Sequence, residues 1–454
     1  MKKNDLTEGR ILTKLLLFAV PFLIANILQS LYGAVDLFVV GRFCGAESVA
    51  AVSIGTQVTQ IVTSFITGLT LGSTILIGKY MGRRDFEQVK RTIGTSLTIF
   101  FFTALFLTGL LLWFGRPLLV LMNTSDQFFE LTFQYVAICG AGNVFICGYN
   151  AVSAILRGYG DSVRPMAFVA VACVLNVVLD VLFVKYWGMG VAGTAFATVI
   201  SQGISMGTAV LHLKRKGFIF DFKWKSFRPA KNIVKELAFV GIPISFQEMM
   251  VRISFLYLTA VMNRCGVYAA AVVGISSKFD VFAMLSATSI ANALAAFTAQ
   301  NMGAGKPERA RKSLWYGMSF ALFAATVFWG WAQLSPQSMI RVFNSNEAIL
   351  TAGVPFFKSC SYDYIMVAMV FCLNGYLNGK EKTVWTMVSC CSGALLLRIP
   401  MVYLFGKYFS DDLGKLGMIA PIVSGIMAAY TMAYVIYERR RQAAVSKRKI
   451  EGKN

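Results

Sequence analysis

The chain is poor in the residues from which soluble enzymes build surfaces and sites. Only 14% of its 454 residues are charged, where soluble domains carry roughly 25%. It has one histidine, His212, which rules out a histidine-rich metal centre. It lacks a Walker GxxxxGK(S/T) run: Gly303-Ala304-Gly305-Lys306-Pro307 is too short and ends in proline. A self-contained ATP pump is therefore not expected. None of the nine cysteines stands in a CxxC or metal-ligand spacing, and Cys390 and Cys391 are adjacent within an apolar run. They read as small packing residues. The metal or nucleophile constellation of an integral-membrane enzyme is missing too, so neither enzyme activity nor a cofactor is expected.

Acids are scarce, 22 against 43 Lys and Arg, for a net charge of +21. The basic residues are not gathered into a nucleic-acid patch. Thirty-two fall in the termini and alternate loops, seven on the other side (Arg42, Arg116, Lys185, Arg264, Arg341, Lys407, Lys415) and four inside apolar runs. That is the positive-inside signature, and it puts both termini in the cytoplasm. Anionic headgroups are the expected partners of the basic loops.

What the chain has is long apolar runs. It is 56% hydrophobic, with a mean hydropathy of +0.62. Twelve helices account for the pattern, at about 11–40, 46–79, 92–114, 126–157, 162–186, 190–214, 231–262, 267–301, 312–333, 346–378, 383–406 and 414–438. Pro21, Pro243, Pro355, Pro400 and Pro421 lie inside them and mark bends. The first run lacks a clear cleavage site and reads as a signal anchor. The expectation is an all-α multi-pass protein of the plasma membrane.

The basic stretch after Lys214 divides the chain. We read residues 1–215 as an N-terminal six-helix lobe and 216–230 as a basic cytoplasmic linker. Residues 231–440 read as a C-terminal six-helix lobe, and 441–454 as a basic tail. The lobes repeat at an offset of 221: Cys44-Gly45 matches Cys265-Gly266, Met81-Gly82 matches Met302-Gly303, and Leu156 and Gly158 match Leu377 and Gly379. Each lobe has an even number of spans, so the repeat is parallel, about an axis along the membrane normal. A central cavity between the lobes would fit alternating access.

Asp36 and Asp180 are the most informative residues. A carboxylate at mid-membrane costs about 2.5–3.5 kcal/mol and usually lines an ion or substrate path. Asn176 precedes Asp180 by one helical turn, on the same face. Counting along the helices puts Asp36, Asp180 and Thr198 at one depth, roughly 6–12 Å below the outer surface. Two carboxylates, an amide oxygen and a hydroxyl are hard ligands for a small cation. Two adjacent acids also repel, so a shared proton serves equally, and the coupling ion is Na⁺ or H⁺. The repeat argues against mere helix glue. The positions equivalent to Asp36, Asn176, Asp180 and Thr198 are Tyr257, Leu397, Met401 and Ile419. In the second half, Glu248, Arg252, Lys278, Asp280, Asp363 and Arg398 read as a charged network, structural or gating, with direct solute contact as the other reading. Tyr32, one turn before Asp36, and Tyr135 are candidates for the first-half cavity, where rings suit flat or cationic solutes.

Several stretches resemble the multidrug and toxic compound extrusion family. They are Val35-Asp36-Leu37-Phe38-Val39-Val40-Gly41-Arg42, Gly158-Tyr159-Gly160-Asp161, Asn176-Val177-Val178-Leu179-Asp180 and Gln300-Asn301-Met302-Gly303-Ala304-Gly305. The resemblance implies two lobes in a V around a central cavity, and export of small organic solutes against an inward Na⁺ or H⁺ gradient by a monomer. It implies a cation site at Asp36, Asn176, Asp180 and Thr198, a metal site if the ion is Na⁺, and a cavity lined by Tyr32, Tyr135 and Asn150. One branch has a glutamate eight residues after the proline of helix 7. Here that position is Val251, and the acid is Glu248. The rival reading is a flippase for lipid-linked precursors on a related two-lobed fold. It calls for a large cationic cavity, and the first half has no arginine cluster in its membrane runs.

Overall fold

In lipid every backbone polar group needs an internal partner, so long apolar runs fold as helices. The computed structural model describes residues 5–122, 124–215, 218–264, 266–409 and 412–451. Lys2, Lys3, Lys216, Cys265 and the last three residues of the basic tail lie outside the described residues. The helices are α1 Ile11–Phe43, α2 Ala46–Gly82, α3 Phe86–Leu121, α4 Phe129–Ala141, α5 Asn143–Gly158, α6 Val163–Asp180 and α7 Gly190–Arg215. There follow α8 Lys231–Arg264, α9 Val267–Gly303, α10 Pro307–Leu334, α11 Pro336–Arg341, α12 Glu347–Cys360 and α13 Tyr362–Gly379. The last are α14 Thr383–Cys391, α15 Ile399–Tyr408, α16 Leu413–Gly417 and α17 Ile419–Glu451.

Among the described residues, eleven helical segments are long and apolar enough to cross a membrane. The pair α4 and α5, bent by 47° at Gly142, makes the twelfth. The protein is therefore an all-α, twelve-span membrane protein, as its hydropathy predicts. Helix ends run beyond the apolar windows. The hydropathy places the third helix at about 92–114, yet α3 begins at Phe86, with the Asp85 carboxylate accepting from the Gln88 amide. Such caps satisfy end amides that hydropathy does not register.

The repeat is visible in the backbone. Left-handed residues recur at the same offset of 221: Gly45 and Gly266, Arg84 and Gly305, Gly160 and Glu381. Close approaches recur with them. A Cβ on Gly158 would stand 2.8 Å from the Thr74 carbonyl, and one on Gly379 2.5 Å from that of Ala295, the equivalent of Thr74. A Cβ on Gly82 would collide with the Gln300 carbonyl, and one on Gly303 with that of Lys79.

The chain divides into two compact units. The first holds Met1–Met249 together with Ala295–Ala310 and Gly379–Val384, and the second holds the rest. In the first, Ile75, Leu76, Leu237, Val240, Ile244, Ala295 and Ala299 form one core. Lys79 Nζ lies 2.8 Å from Glu381 and 3.5 Å from Glu236, which also accepts from the Tyr80 hydroxyl at 2.8 Å. A strap at the N-terminus is pinned beside them. The Leu6 amide donates to Gln300 Oε1, Asn301 Nδ2 and Arg309 donate to the Leu6 carbonyl, and Lys306 Nζ donates to that of Thr7. Asp5 closes the strap on itself by accepting from the amide and hydroxyl of Thr7, each at 2.7 Å. In the second unit, Phe279 is the hub of the core and meets Trp331, Phe343 and Phe357 edge-on.

Candidate functional site

In the first unit α1 packs on α6, and α6 on α7. The three helices bring Asp36, Asn176, Asp180 and Thr198 together. Asn176 and Asp180 are fully buried, Asp36 is 4% exposed and Thr198 8%. The Asp36 carboxyl faces Asp180, Asn176 and Thr198. Yet Asp36 Oδ1, both Asp180 oxygens, both Asn176 amide atoms and the Thr198 hydroxyl close no hydrogen bond of good geometry. Buried polar atoms are normally satisfied, and each exception calls for a reason. Two carboxyls, an amide and a hydroxyl therefore face one another with their polar atoms left without well-formed partners. The backbone contributes as well: Asp180 ends the α-helical part of α6, and Val181–Tyr186 continues as a π-turn, a widening found often at functional sites.

The floor of the cluster is aromatic and apolar. The Tyr32 hydroxyl points toward Thr198 and Ser201. Tyr135 is buried, accepts from the Thr56 hydroxyl at 3.4 Å, and packs with Val40, Val52, Cys139 and Ala195. Its ring fills the space where Gly55 has no side chain. Asn150 is half-buried, and its amide donates to the Ile146 carbonyl of its own helix. Ser201 and Thr56 were not singled out from the sequence. Ser201 was within reach of it, three residues after Thr198 on the same face. Thr56 lies on α2 and joins only through the tertiary contact with Tyr135.

The second-half charges separate. Asp363 and Arg398 are buried and stand close enough to interact, and Asp280, half-buried, faces Asp363, Ser276 and Tyr364. Arg398 ends a π-turn, Ser392–Arg398, donates to Ser254 Oγ at 3.1 Å and stacks 4.2 Å from the Phe255 ring centre. Arg252 and Lys278 are exposed. Glu248 is half-buried and belongs to the first unit.

Residues 21–182 and 243–404 each match the family model described as MatE. The chain is 28% identical to the probable multidrug resistance protein YpnP of Bacillus subtilis, over 98% of this chain and 99% of that protein. It is 26% identical to the probable multidrug resistance protein YoeA of the same organism, over 92% and 90%. An outward-facing structure of a multidrug resistance MATE family transporter of the MOP superfamily has the same fold, with a TM-score of 0.90 at 22% identity over 98% of both chains.

Proposed function

Because the chain belongs to the multidrug and toxic compound extrusion family, its MatE match covering both halves, we propose that it exports small organic solutes, aromatic or cationic, in exchange for Na⁺ or H⁺. Asp36 and Asp180 carry the coupling ion. Asn176 and Thr198 complete its shell if the ion is Na⁺, and orient the acids if it is a proton. The observation that carries this reading is the set of buried, facing and unsatisfied oxygens among α1, α6 and α7.

The physical cycle is short. Two carboxylates side by side in a low-dielectric bundle repel, and among the described residues no Lys or Arg acts on either of them. An ion entering from the side with few basic residues removes that repulsion. It draws α1 toward α6, which moves Tyr32, one turn from Asp36, and disturbs the ring-lined space where a flat solute stacks. Solute and ion thus compete for one arrangement of α1, which is what exchange requires. The reading carries with it a monomer in the plasma membrane, with both termini cytoplasmic and without enzymatic chemistry. In the second unit, Asp280, Asp363 and Arg398 act as a structural network.

The test is efflux of a fluorescent organic cation from proteoliposomes under an imposed Na⁺ gradient and, separately, an imposed pH gradient. One of the two should drive efflux. Transport by neither, together with movement of a lipid-linked precursor between leaflets, would replace this reading with the flippase.

A further inference from the structure

The basic segment joining α7 to α8 is a built structure rather than a loose connection. Trp224–Phe227 form one 3₁₀ turn. Beneath it Phe220, Phe222 and Phe227 pack edge to face, with ring centres 5.1–5.3 Å apart for the pairs made by Phe220. The turn is fastened to α3 at three successive points. The Ser226 carbonyl occupies the space where Gly94 has no Cβ. The Thr98 hydroxyl donates to the Phe227 carbonyl at 2.6 Å, and the Ala230 amide donates to Thr95 Oγ1 at 3.1 Å. A glycine and two threonines on α3 thus hold the segment at a fixed height.

That height can be read along α3. Toward its start, Lys90 and Arg91 are exposed, as expected in water. Toward its middle, Phe101, Phe102, Leu105 and Phe106 are 47–67% exposed, as expected against lipid. The fastening points at 94–98 fall between them, about 5–11 Å along the axis from the first lipid-facing ring at 1.5 Å per residue. The segment therefore sits at the headgroup level. There it presents Trp224, 93% exposed. Lys223 and Lys225 flank it and Arg228 follows, all exposed. Lys223 has Asp221 Oδ2 at 3.9 Å, a long contact, while the Ser226 hydroxyl donates to Oδ1 at 2.6 Å. Lys225 and Arg228 meet no carboxylate among the described residues. A tryptophan at the interface, with cations projecting beside it, has the chemistry of an anionic-lipid contact.

We infer that residues 223–228 form an interfacial foot that binds anionic phospholipid headgroups in the leaflet beside the basic loops, with Trp224 inserted at the glycerol level. The foot is independent of the transport site and of the coupling ion.

The test uses the full-length protein in detergent, offered phosphatidylglycerol or phosphatidylcholine and read by native mass spectrometry. The wild type should retain phosphatidylglycerol preferentially. Each basic residue near an anionic surface is worth about fivefold in affinity, so Lys223→Gln/Lys225→Gln/Arg228→Gln should lose most of the preference, up to about 100-fold. The same number of charges removed elsewhere, by Arg264→Gln/Lys358→Gln/Lys407→Gln, should leave it intact. In bilayers, the emission lost on Trp224→Phe should be quenched by lipids brominated near the headgroup and spared by lipids brominated near the chain end. Equal retention of the two lipids by the wild type, equal loss in both triple variants, or quenching only from the chain end would overturn the assignment.

Discussion

Replacing Asp36 by asparagine tests the coupling site with little change of shape. Asparagine fills the same volume and keeps one side-chain oxygen but removes the charge. A full charge about 3 Å from a monovalent cation, at an effective dielectric of about 20, contributes about 5 kcal/mol. The amide dipole and residual hydration return part of that. A net loss of about 2–3 kcal/mol corresponds to a weakening of ion binding of about 30- to 150-fold. The structure separates this loss from misfolding, because Asp36 is buried against Asp180. Taking one charge from a buried like-charged pair relieves repulsion, so Asp36→Asn should melt no lower than the wild type. The assay is proteoliposome efflux at several Na⁺ concentrations at fixed pH, and at several pH values without Na⁺. If Na⁺ is the ion, its half-maximal concentration rises by the stated factor. If the proton is the ion, pH-driven efflux is abolished, since an amide does not titrate. Wild-type rates and ion dependence in a well-folded Asp36→Asn protein would refute the reasoning.

Three further outcomes follow from other contacts. Lys79 and Glu381 are 18% and 31% exposed and 2.8 Å apart; a double-mutant cycle with Lys79→Met and Glu381→Gln, read by thermal unfolding, should give a coupling of about 1 kcal/mol that shrinks in high salt. Arg398→Ala strands the buried Asp363 carboxyl and should cost about 3–5 kcal/mol; Arg398→Met combined with Asp363→Asn should recover most of the lost melting temperature, and no recovery would show that the pair is not the cause. Burial pushes the Asp5 carboxyl up, but two hydrogen bonds from Thr7 and the charges of Arg84 and Lys14 outweigh it and hold it below 3.8. A depressed acid stabilises the folded strap above its unfolded value and loses that contribution as the pH falls through the folded one. Protection of residues 6–9 from hydrogen exchange, taken relative to the intrinsic rate at each pH, should therefore fall below about pH 4, and Asp5→Asn should lower it already at neutral pH.

The sequence exposed whatever is written in composition and period. Spans are legible because lipid demands about 20 apolar residues, and the repeat because residues at fixed spacing keep their neighbours. Asp36, Asn176 and Asp180 stood out because acids and amides are costly in such runs. What stayed hidden depends on backbone groups. The strap has no sequence signal, since its partners are the carbonyls of Leu6 and Thr7, gripped by side chains some 300 residues away. Glu381 holds a left-handed conformation at φ 61° where its repeat equivalent is Gly160, a strain that comes with a carboxylate placed on Lys79. The charges of the second half looked like one network because they share apolar runs. Among the described residues the structure draws Asp280, Asp363 and Arg398 together, because burial, not proximity in sequence, selects which charges must find partners.

The paired glycines near the ends of α2 and α9 bear on the history of the chain. Gly82 leaves room for Gln300, and Gly303 leaves room for Lys79; in the repeat, Lys79 stands where Gln300 does. Residue i meets j′ while i′ meets j, which is the defining property of a two-fold isologous dimer interface. The contact is one surface counted twice, as if two identical subunits had met before a linker joined them. Selection at either glycine therefore acts on a shared structure, and a side chain added to one half spends its effect in both.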